Sequence, residues 1–259
     1  MYIMRCHYYL ALQKICDFIK EFLINQVRER KAKGVVIGIS GGLDSSVVAA
    51  LAVKALKSSS VLGLLLPEQG ITPREDFDDA LDLAKKLAIS YRIIEISKKK
   101  QEIMKDLPSD PLAQGNLAAR IRMCILYFFA SYKGMLVAGT TDKSELKLGY
   151  YTKYGDGSAD ILPIADLYKT QVRELAYYLD IPERIIKKDS RPGLWEEHTA
   201  EGEIGLPYTV VDNILRESEN KNVNSNLYDA EAVRRVQVLI EKNKHKGEMP
   251  VVCKLSNLY

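Results

Sequence analysis

The residues best placed to do chemistry are Gly38-Ile39-Ser40-Gly41-Gly42-Leu43-Asp44-Ser45-Ser46. They follow a short β-branched run and precede an Ala- and Val-rich stretch, so they read as a strand, a Gly-rich turn and a helix. Glycines let the backbone turn tightly and aim N–H groups at an anion; the helix N-terminus adds positive potential and the Ser hydroxyls can donate to phosphate oxygens. Asp44 could hold a magnesium ion beside such a phosphate. A Gly turn followed by a helix capped by Asp44 or Ser45 is the structural alternative. The Gly-x-x-x-x-Gly-Lys-Ser/Thr pattern is missing, and with it the lysine that draws on β- and γ-phosphates, so a different ATP cleavage is implied.

These residues need elements to hold them. Leu12, Ile15, Ile19, Phe22 and Leu23 recur at helical spacing and predict a leading amphipathic helix over Leu12–Val27, ended by Lys31–Gly34. Strand Val35–Ile39, a helix reaching Lys57, strand Val61–Leu66, a helix carrying Phe77, Leu81, Ala84 and Ala88 on one face, and strand Tyr91–Ile96 complete a βαβαβ series, for which parallel strands are expected. Thr72-Pro73-Arg74-Glu75 offers the middle helix an N-cap, a first-turn proline and a capping-box glutamate. A nearly apolar helix over Asn116–Lys133 closes at Gly134 before strand Met135–Ala138. A long polar, Gly-rich loop runs from Gly139 to Asp160, the kind of connection that is often functional. Helices are expected at Leu167–Leu179, Thr209–Arg216 and Asp229–Lys244, with a Lys-, Asn- and Ser-rich linker between the last two.

The Gly-rich segment resembles the pyrophosphate loop of the N-type ATP pyrophosphatases, which split ATP between the α- and β-phosphates and activate a substrate as its adenylate. Further segments resemble NAD synthetase in the same order: Asn116-Leu-Ala-Ala-Arg120-Ile-Arg122, Gly139-Thr-Thr-Asp-Lys-Ser-Glu145, Tyr150 to Asp160, Pro163 to Arg173, and Gly193-Leu-Trp195. The resemblance covers about Leu12 to Pro250. It implies an α/β fold of the adenine nucleotide alpha hydrolase-like, Rossmann-like kind, a mostly parallel sheet flanked by helices, with residues 1–259 as a single domain ending in a helical segment. The implied reaction is amidation of deamido-NAD by ammonia, with ATP consumed to AMP and pyrophosphate through an adenylate.

By the same resemblance, Gly38 to Ser46 hold the ATP phosphates, Thr140, Lys169 and Ser190 contact ATP, and Asp44 and Glu145 bind Mg2+. Arg120, Tyr127, Lys153, Asp160, His245 and Lys246 meet deamido-NAD. Asp156 lies in the loop covering the reacting carboxylate, and Asp156 or Asp160 could bind ammonium or accept its proton. The family's Pro-Ser-Ala/Pro element reads here as Asp189-Ser190-Arg191-Pro192, so its hydroxyl is Ser190 displaced by one residue, or Arg191 stands in its place. The C-terminal His245-Lys246-Gly247-Glu248-Met249-Pro250 lacks an arginine and a proline of the family pattern. A homodimer is expected, because the family binds deamido-NAD across two subunits and Tyr127-Phe128-Phe129 could supply an apolar contact.

Composition excludes several classes. Lys and Arg number 37 against 34 Asp and Glu, a net charge of +3 that implies no nucleic-acid surface. No stretch reaches the roughly 18 to 20 consecutive apolar residues of a membrane span, and the N-terminus lacks a signal-peptide layout, so a cytoplasmic protein is expected. Cys6, Cys16, Cys124 and Cys253 form no Cys-x-x-Cys pair and are expected to be buried or neutral thiols. The synthetase resemblance occupies nearly the whole chain, so ammonia rather than glutamine is the expected nitrogen donor. Taken alone, Arg120 and Arg122 read as solvated cations, Trp195 and His198 as packing residues, and Lys242 to Lys246 as a solvated face. Rival readings are another pyrophosphate-loop ligase, acting on a nucleotide or tRNA, and a non-catalytic nucleotide-binding regulator; the acidic pair Asp44 and Glu145 argues against the regulator.

Overall fold

A computed structural model describes residues 2–193, 195, 198–219 and 229–254. The opening helix α1 spans Tyr2–Glu29, longer at both ends than its apolar periodicity predicts. Strand β1 (Val35–Gly38), helix α2 (Leu43–Leu56), β2 (Val61–Leu65), α3 (Arg74–Lys86) and β3 (Ser90–Ile93) form the expected βαβαβ series. Helices α4 (Ser97–Met104) and α5 (Pro111–Lys133) follow, then β4 (Leu136–Val137). The sheet order is β3-β2-β1-β4 with every pairing parallel, so the fold is α/β with a parallel sheet flanked by helices.

Alternation along the strands explains the two layers. Val35, Ile37, Val61 and Leu65 point into a core shared with Leu23 of α1, Val47 and Leu51 of α2 and Leu83 of α3. Val36, Leu62, Leu64 and Val137 point the other way, against Ala118 and Ile121 of α5. The period of two sends neighbouring residues to opposite faces, and both faces are dry, as buried parallel sheets require. From β1 the chain winds outward through β2 and β3, then returns to β4 on the other flank. The carboxyl ends of β1 and β4 therefore border a topological switch point, where open α/β sheets bind ligands.

The remaining helices are α6 (Lys143–Leu148), α7 (Lys169–Tyr178), α8 (Glu183–Ile186), α9 (Ala200–Ile204), α10 (Tyr208–Glu219) and α11 (Ala230–Asn243). Tyr208, Val211, Ile214 and Val236 gather with Leu148 into a smaller core beside the sheet. The Lys-, Asn- and Ser-rich linker falls at 220–228, outside the described residues, as does Leu194 of the Gly-Leu-Trp element. Among the described residues no helix is long and apolar enough to cross a membrane.

Several local expectations are corrected. α3 starts at Arg74 with Pro73 as an N-cap that makes no side-chain bond, and Thr72 Oγ1 instead accepts the Glu68 N–H at 2.9 Å. α5 begins at Pro111, five residues before Asn116, because the Asp110 side chain caps it by accepting the Ala113 N–H at 2.6 Å. Gly134 does end it in the left-handed conformation. The loop from Gly139 to Asp160 contains α6, whose six residues are too few to show helical periodicity. Cys16 is buried, and burial raises its thiol pKa; Cys124 and Cys253 are exposed.

Candidate active site

The Gly-rich segment sits at the switch point. β1 ends at Gly38, and the chain crosses to α2 through Ile39–Gly42. Gly41 has φ +81°, and a Cβ there would lie 2.0 Å from the Asp76 carbonyl oxygen, so the loop can press against α3 only with glycine at this position. Neither Asp44 nor Ser45 caps α2: the N-cap is Gly42, without a side-chain bond, which leaves the first-turn amides available to an anion. Ser45 and Ser46 turn back to the Gly42 carbonyl at 3.2 and 2.7 Å, and the Ser40 and Ser45 hydroxyls lie 3.0 Å apart.

Facing this turn is a buried charge cluster. The Lys169 ammonium, 1% exposed at the start of α7, lies 2.7 Å from Asp44 Oδ2, 2.9 Å from Asp142 Oδ2 and 2.9 Å from Glu145 Oε1. Burial works against its charge, yet Asp142, Asp44 and Glu145 together hold its pKa well above the usual lysine value. One ammonium cannot neutralise three carboxylates. Burial pushes Asp142 up to about 6, with Lys169 opposing and Asp44 adding to the rise. Glu145 is likewise held well above its ordinary value by burial, Lys169 opposing while Asp142 and Asp44 reinforce the shift.

Local structure places each member. Asp142 caps α6 by accepting the Glu145 N–H at 2.8 Å, while Glu145 Oε2 accepts the Asp142 N–H at 3.3 Å, a capping box. From α10, the buried Asp212 accepts the Thr170 N–H at 2.8 Å and the Ser144 hydroxyl at 2.5 Å; that hydroxyl in turn accepts the Lys169 N–H at 2.9 Å. Asp212 thereby ties the first turns of α6 and α7 together. Asp142 and Asp212 were not anticipated. The spacing of Asp142 and Glu145 is a legible capping-box signal, whereas nothing local marks Asp212.

Two adjoining cavities open here. The smaller, about 140 Å³, is lined by Ser40, Asp44, Ser45, Lys169, Arg173 and Ser190 among others. The larger, about 690 Å³, is lined by Gly38, Arg120, Thr140, Lys153, His245 and Lys246 among others. Thr140, Glu145 and Asp156 line both. Asp156 is open to the cavity, and the surrounding protein still raises its pKa by desolvation, the Thr152 N–H at 2.9 Å opposing.

The structure thus brings together the residues of the Gly-rich turn with Thr140, Glu145, Lys169, Asp156 and Ser190. Arg120, Lys153, His245 and Lys246 all line the larger cavity: Arg120 donates to the Lys153 carbonyl at 3.2 Å, Lys153 donates to the His245 and Glu248 carbonyls, and Lys246 donates to the Gly149 and Tyr151 carbonyls at 2.8 and 3.0 Å. Lys246 is therefore no free solvated cation, and burial lowers its pKa. Nor is Arg122, which donates to the Leu66 carbonyl at 3.0 Å. Tyr127 and Asp160 line neither cavity. Asp160 accepts the Val137 N–H at 2.7 Å, and Tyr127 is partly buried under the sheet, its phenol raised by burial and by the Asp160 charge. Trp195 stacks on His198 at 3.7 Å, and His198 Nε2 lies 2.7 Å from Glu203 and 3.3 Å from the Tyr150 hydroxyl, so His198 is hydrogen-bonded as well as packed.

A Gly-rich turn entering a helix at the switch point of a parallel sheet, with acidic groups and lysine facing it, defines a nucleotide-dependent α/β enzyme of the pyrophosphate-loop class. Residues 12–250 match the family model described as NAD synthase. The NH3-dependent NAD(+) synthetase of Archaeoglobus fulgidus is 43% identical over 250 residues, covering 96% of this chain and 98% of that protein. Among solved structures, NMN synthetase from Francisella tularensis is similar at TM-score 0.87 and 33% identity, covering 94% of this chain and 99% of that one. The NH3-dependent NAD synthetase of Campylobacter jejuni is similar at TM-score 0.83 and 37% identity, with the same coverages of 94% and 99%. The chain belongs to the NAD synthase family.

Proposed function

We propose that this enzyme amidates deamido-NAD with ammonia, consuming ATP to AMP and pyrophosphate. The observation that carries the reading is the meeting of Asp44, from the Gly-rich turn, with Glu145 and Lys169 across the switch point at 2.7 to 2.9 Å. The first-turn amides of α2 and the hydroxyls of Ser40 and Ser45 bind the phosphates of ATP, and Thr140 and Ser190 flank the nucleotide. The larger cavity takes deamido-NAD, with Arg120, Lys153, His245 and Lys246 in its lining.

A divalent cation fits the acidic cluster. Oxygens of Asp44, Asp142 and Glu145 lie within 4.8 Å of one another, and Asp44 Oδ1 is buried without a hydrogen-bond partner. Hard carboxylate donors suit Mg2+, which when bound supplies neutralisation of phosphate charge. The ammonium of Lys169 keeps the carboxylates close enough to act as one donor set.

A carboxylate is a poor electrophile, so its oxygen first attacks the α-phosphorus of ATP and pyrophosphate leaves. Ammonia then attacks the acyl carbon, AMP departs and the amide forms. Neutral ammonia is the nucleophile, so a general base must take a proton from ammonium or from the adduct. Asp156 serves, since it lines both cavities and Asp160 lines neither, each accepting one backbone N–H. Tyr127 and Asp160 line neither cavity, so the contacts with deamido-NAD expected of them are not part of this reading.

Incubation of the pure protein with ATP, Mg2+ and deamido-NAD should give NAD, AMP and pyrophosphate in equal amounts with ammonium, and little with glutamine. Efficient glutamine use would overturn the ammonia assignment. Turnover of the deamidated mononucleotide in preference to deamido-NAD would move the substrate toward that of the Francisella relative.

The enzyme acts as a homodimer in the cytoplasm. On α5, Phe128 and Tyr132 are 64% and 71% exposed with their rings stacked at 6.3 Å, an apolar surface suited to a second copy. Sedimentation should show a dimer, and Phe128→Asp should shift it to monomer and raise the KM for deamido-NAD. A wild-type monomer at assay concentration would overturn the dimer.

A further inference from the structure

We propose that Arg173 binds the leaving pyrophosphate, its guanidinium taking two phosphate oxygens in the smaller cavity. The inference rests on the reaction proposed above and adds to it a residue that carries the β- and γ-phosphates.

Arg173 differs from the other cations of the cavity in its charge partners. Four cations line the 140 Å³ cavity: Lys169, Arg173, Lys188 and Arg191. Lys169 is held by three carboxylates. Lys188 lies 2.6 Å from Asp76 and 2.5 Å from Asp79, and Arg191 lies 2.5 Å from Glu75. Arg173 makes no ion pair among the described residues, and its Nε is buried without a hydrogen-bond partner. A guanidinium on a partly buried side chain with a buried, unpaired N–H is unfavourable, and an anionic ligand that accepts from it removes that cost.

Position completes the case. Arg173 follows Lys169 by one helical turn on α7, so both side chains leave the same face. The opposite wall is the Gly-rich turn, with Gly42, Ser45 and the open amides of α2. A volume of 140 Å³ is well under the roughly 300 Å³ at which pockets for drug-sized ligands begin, so it suits a small polyanion rather than a nucleoside. Arginine's planar fork matches two phosphate oxygens, which lysine's point charge does not.

The test is calorimetric titration of magnesium pyrophosphate, and separately of AMP, into the full-length protein. Arg173→Gln should weaken pyrophosphate binding about tenfold to a hundredfold and leave AMP binding unchanged. Arg173→Lys should lose severalfold for pyrophosphate alone, and it decides the matter if circular dichroism shows the Gln variant unfolded. Product inhibition by pyrophosphate should weaken in parallel. Wild-type pyrophosphate affinity in the folded variants, or equal loss for both ligands, overturns the role of Arg173 and leaves the amidation reading intact. A wild-type protein that binds neither ligand overturns both.

Discussion

Lys169→Met should cost this enzyme its activity and much of its stability together. The ammonium it removes is 1% exposed and has three carboxylate neighbours within 2.9 Å. Breaking a buried ion pair from one side costs about 3–5 kcal/mol, which for a chain of this size lowers the melting temperature on the order of 10 °C. The loss should depend on pH. Asp142 is pushed up to about 6 by burial and Glu145 is raised likewise, and without Lys169 the attraction opposing both is gone, so these two carboxyls rise further. A carboxyl whose pKa is raised on folding binds its proton more tightly in the folded state, so stability falls as pH rises from the unfolded value near 4 through the folded one. The variant should therefore lie closest to wild type near pH 5 and furthest below it near pH 8. Thermal unfolding across that range is the measurement. An equal deficit at both ends would mean that Lys169 contributes through packing rather than charge.

The sequence makes the strand–turn–helix unit legible because its signals are local. Val35 to Ile37 are β-branched, Gly41 alone tolerates contact with the Asp76 carbonyl, and the helix that follows is rich in Ala and Val. Parallel pairing follows from the βαβαβ order. The family segments then identify Glu145 and Lys169, though not their contact with Asp44, which comes from elements 125 residues apart for Asp44 and Lys169. Asp212 shows the limit most clearly: on α10 it is followed by Asn213 with no local sign of a special role, and only tertiary packing brings it to Ser144 and Thr170. Asp142 lay within reach through its spacing to Glu145, but the polar, Gly-rich surroundings of a six-residue helix read as loop. Arg173 is similar, since a charged residue on an amphipathic helix usually faces water, and only the cavity shows otherwise.

Asp44→Ala and Glu145→Ala should separate activity from stability in the opposite sense to the lysine change. Each removes one of three crowded carboxylates and leaves Lys169 with two partners, Asp142 and the remaining acid. Like-charge crowding is relieved, so the melting temperature should hold or rise, as happens when a strained functional cluster is disarmed. Activity should collapse nonetheless. On the proposed reading both residues supply donors to a divalent cation, and loss of preorganised charge stabilisation at a reacting phosphate costs on the order of a hundredfold to a thousandfold in kcat. Asn and Gln at these positions keep an oxygen donor but not the charge, and should recover a fraction of the rate at raised magnesium concentration. The decisive measurements are kcat as a function of magnesium for each variant, alongside its unfolding curve. Wild-type turnover with an unchanged magnesium dependence would remove Asp44 or Glu145 from the metal site, and the cluster would then be a structural ion-pair network whose task is to seat the start of α7 against the Gly-rich turn.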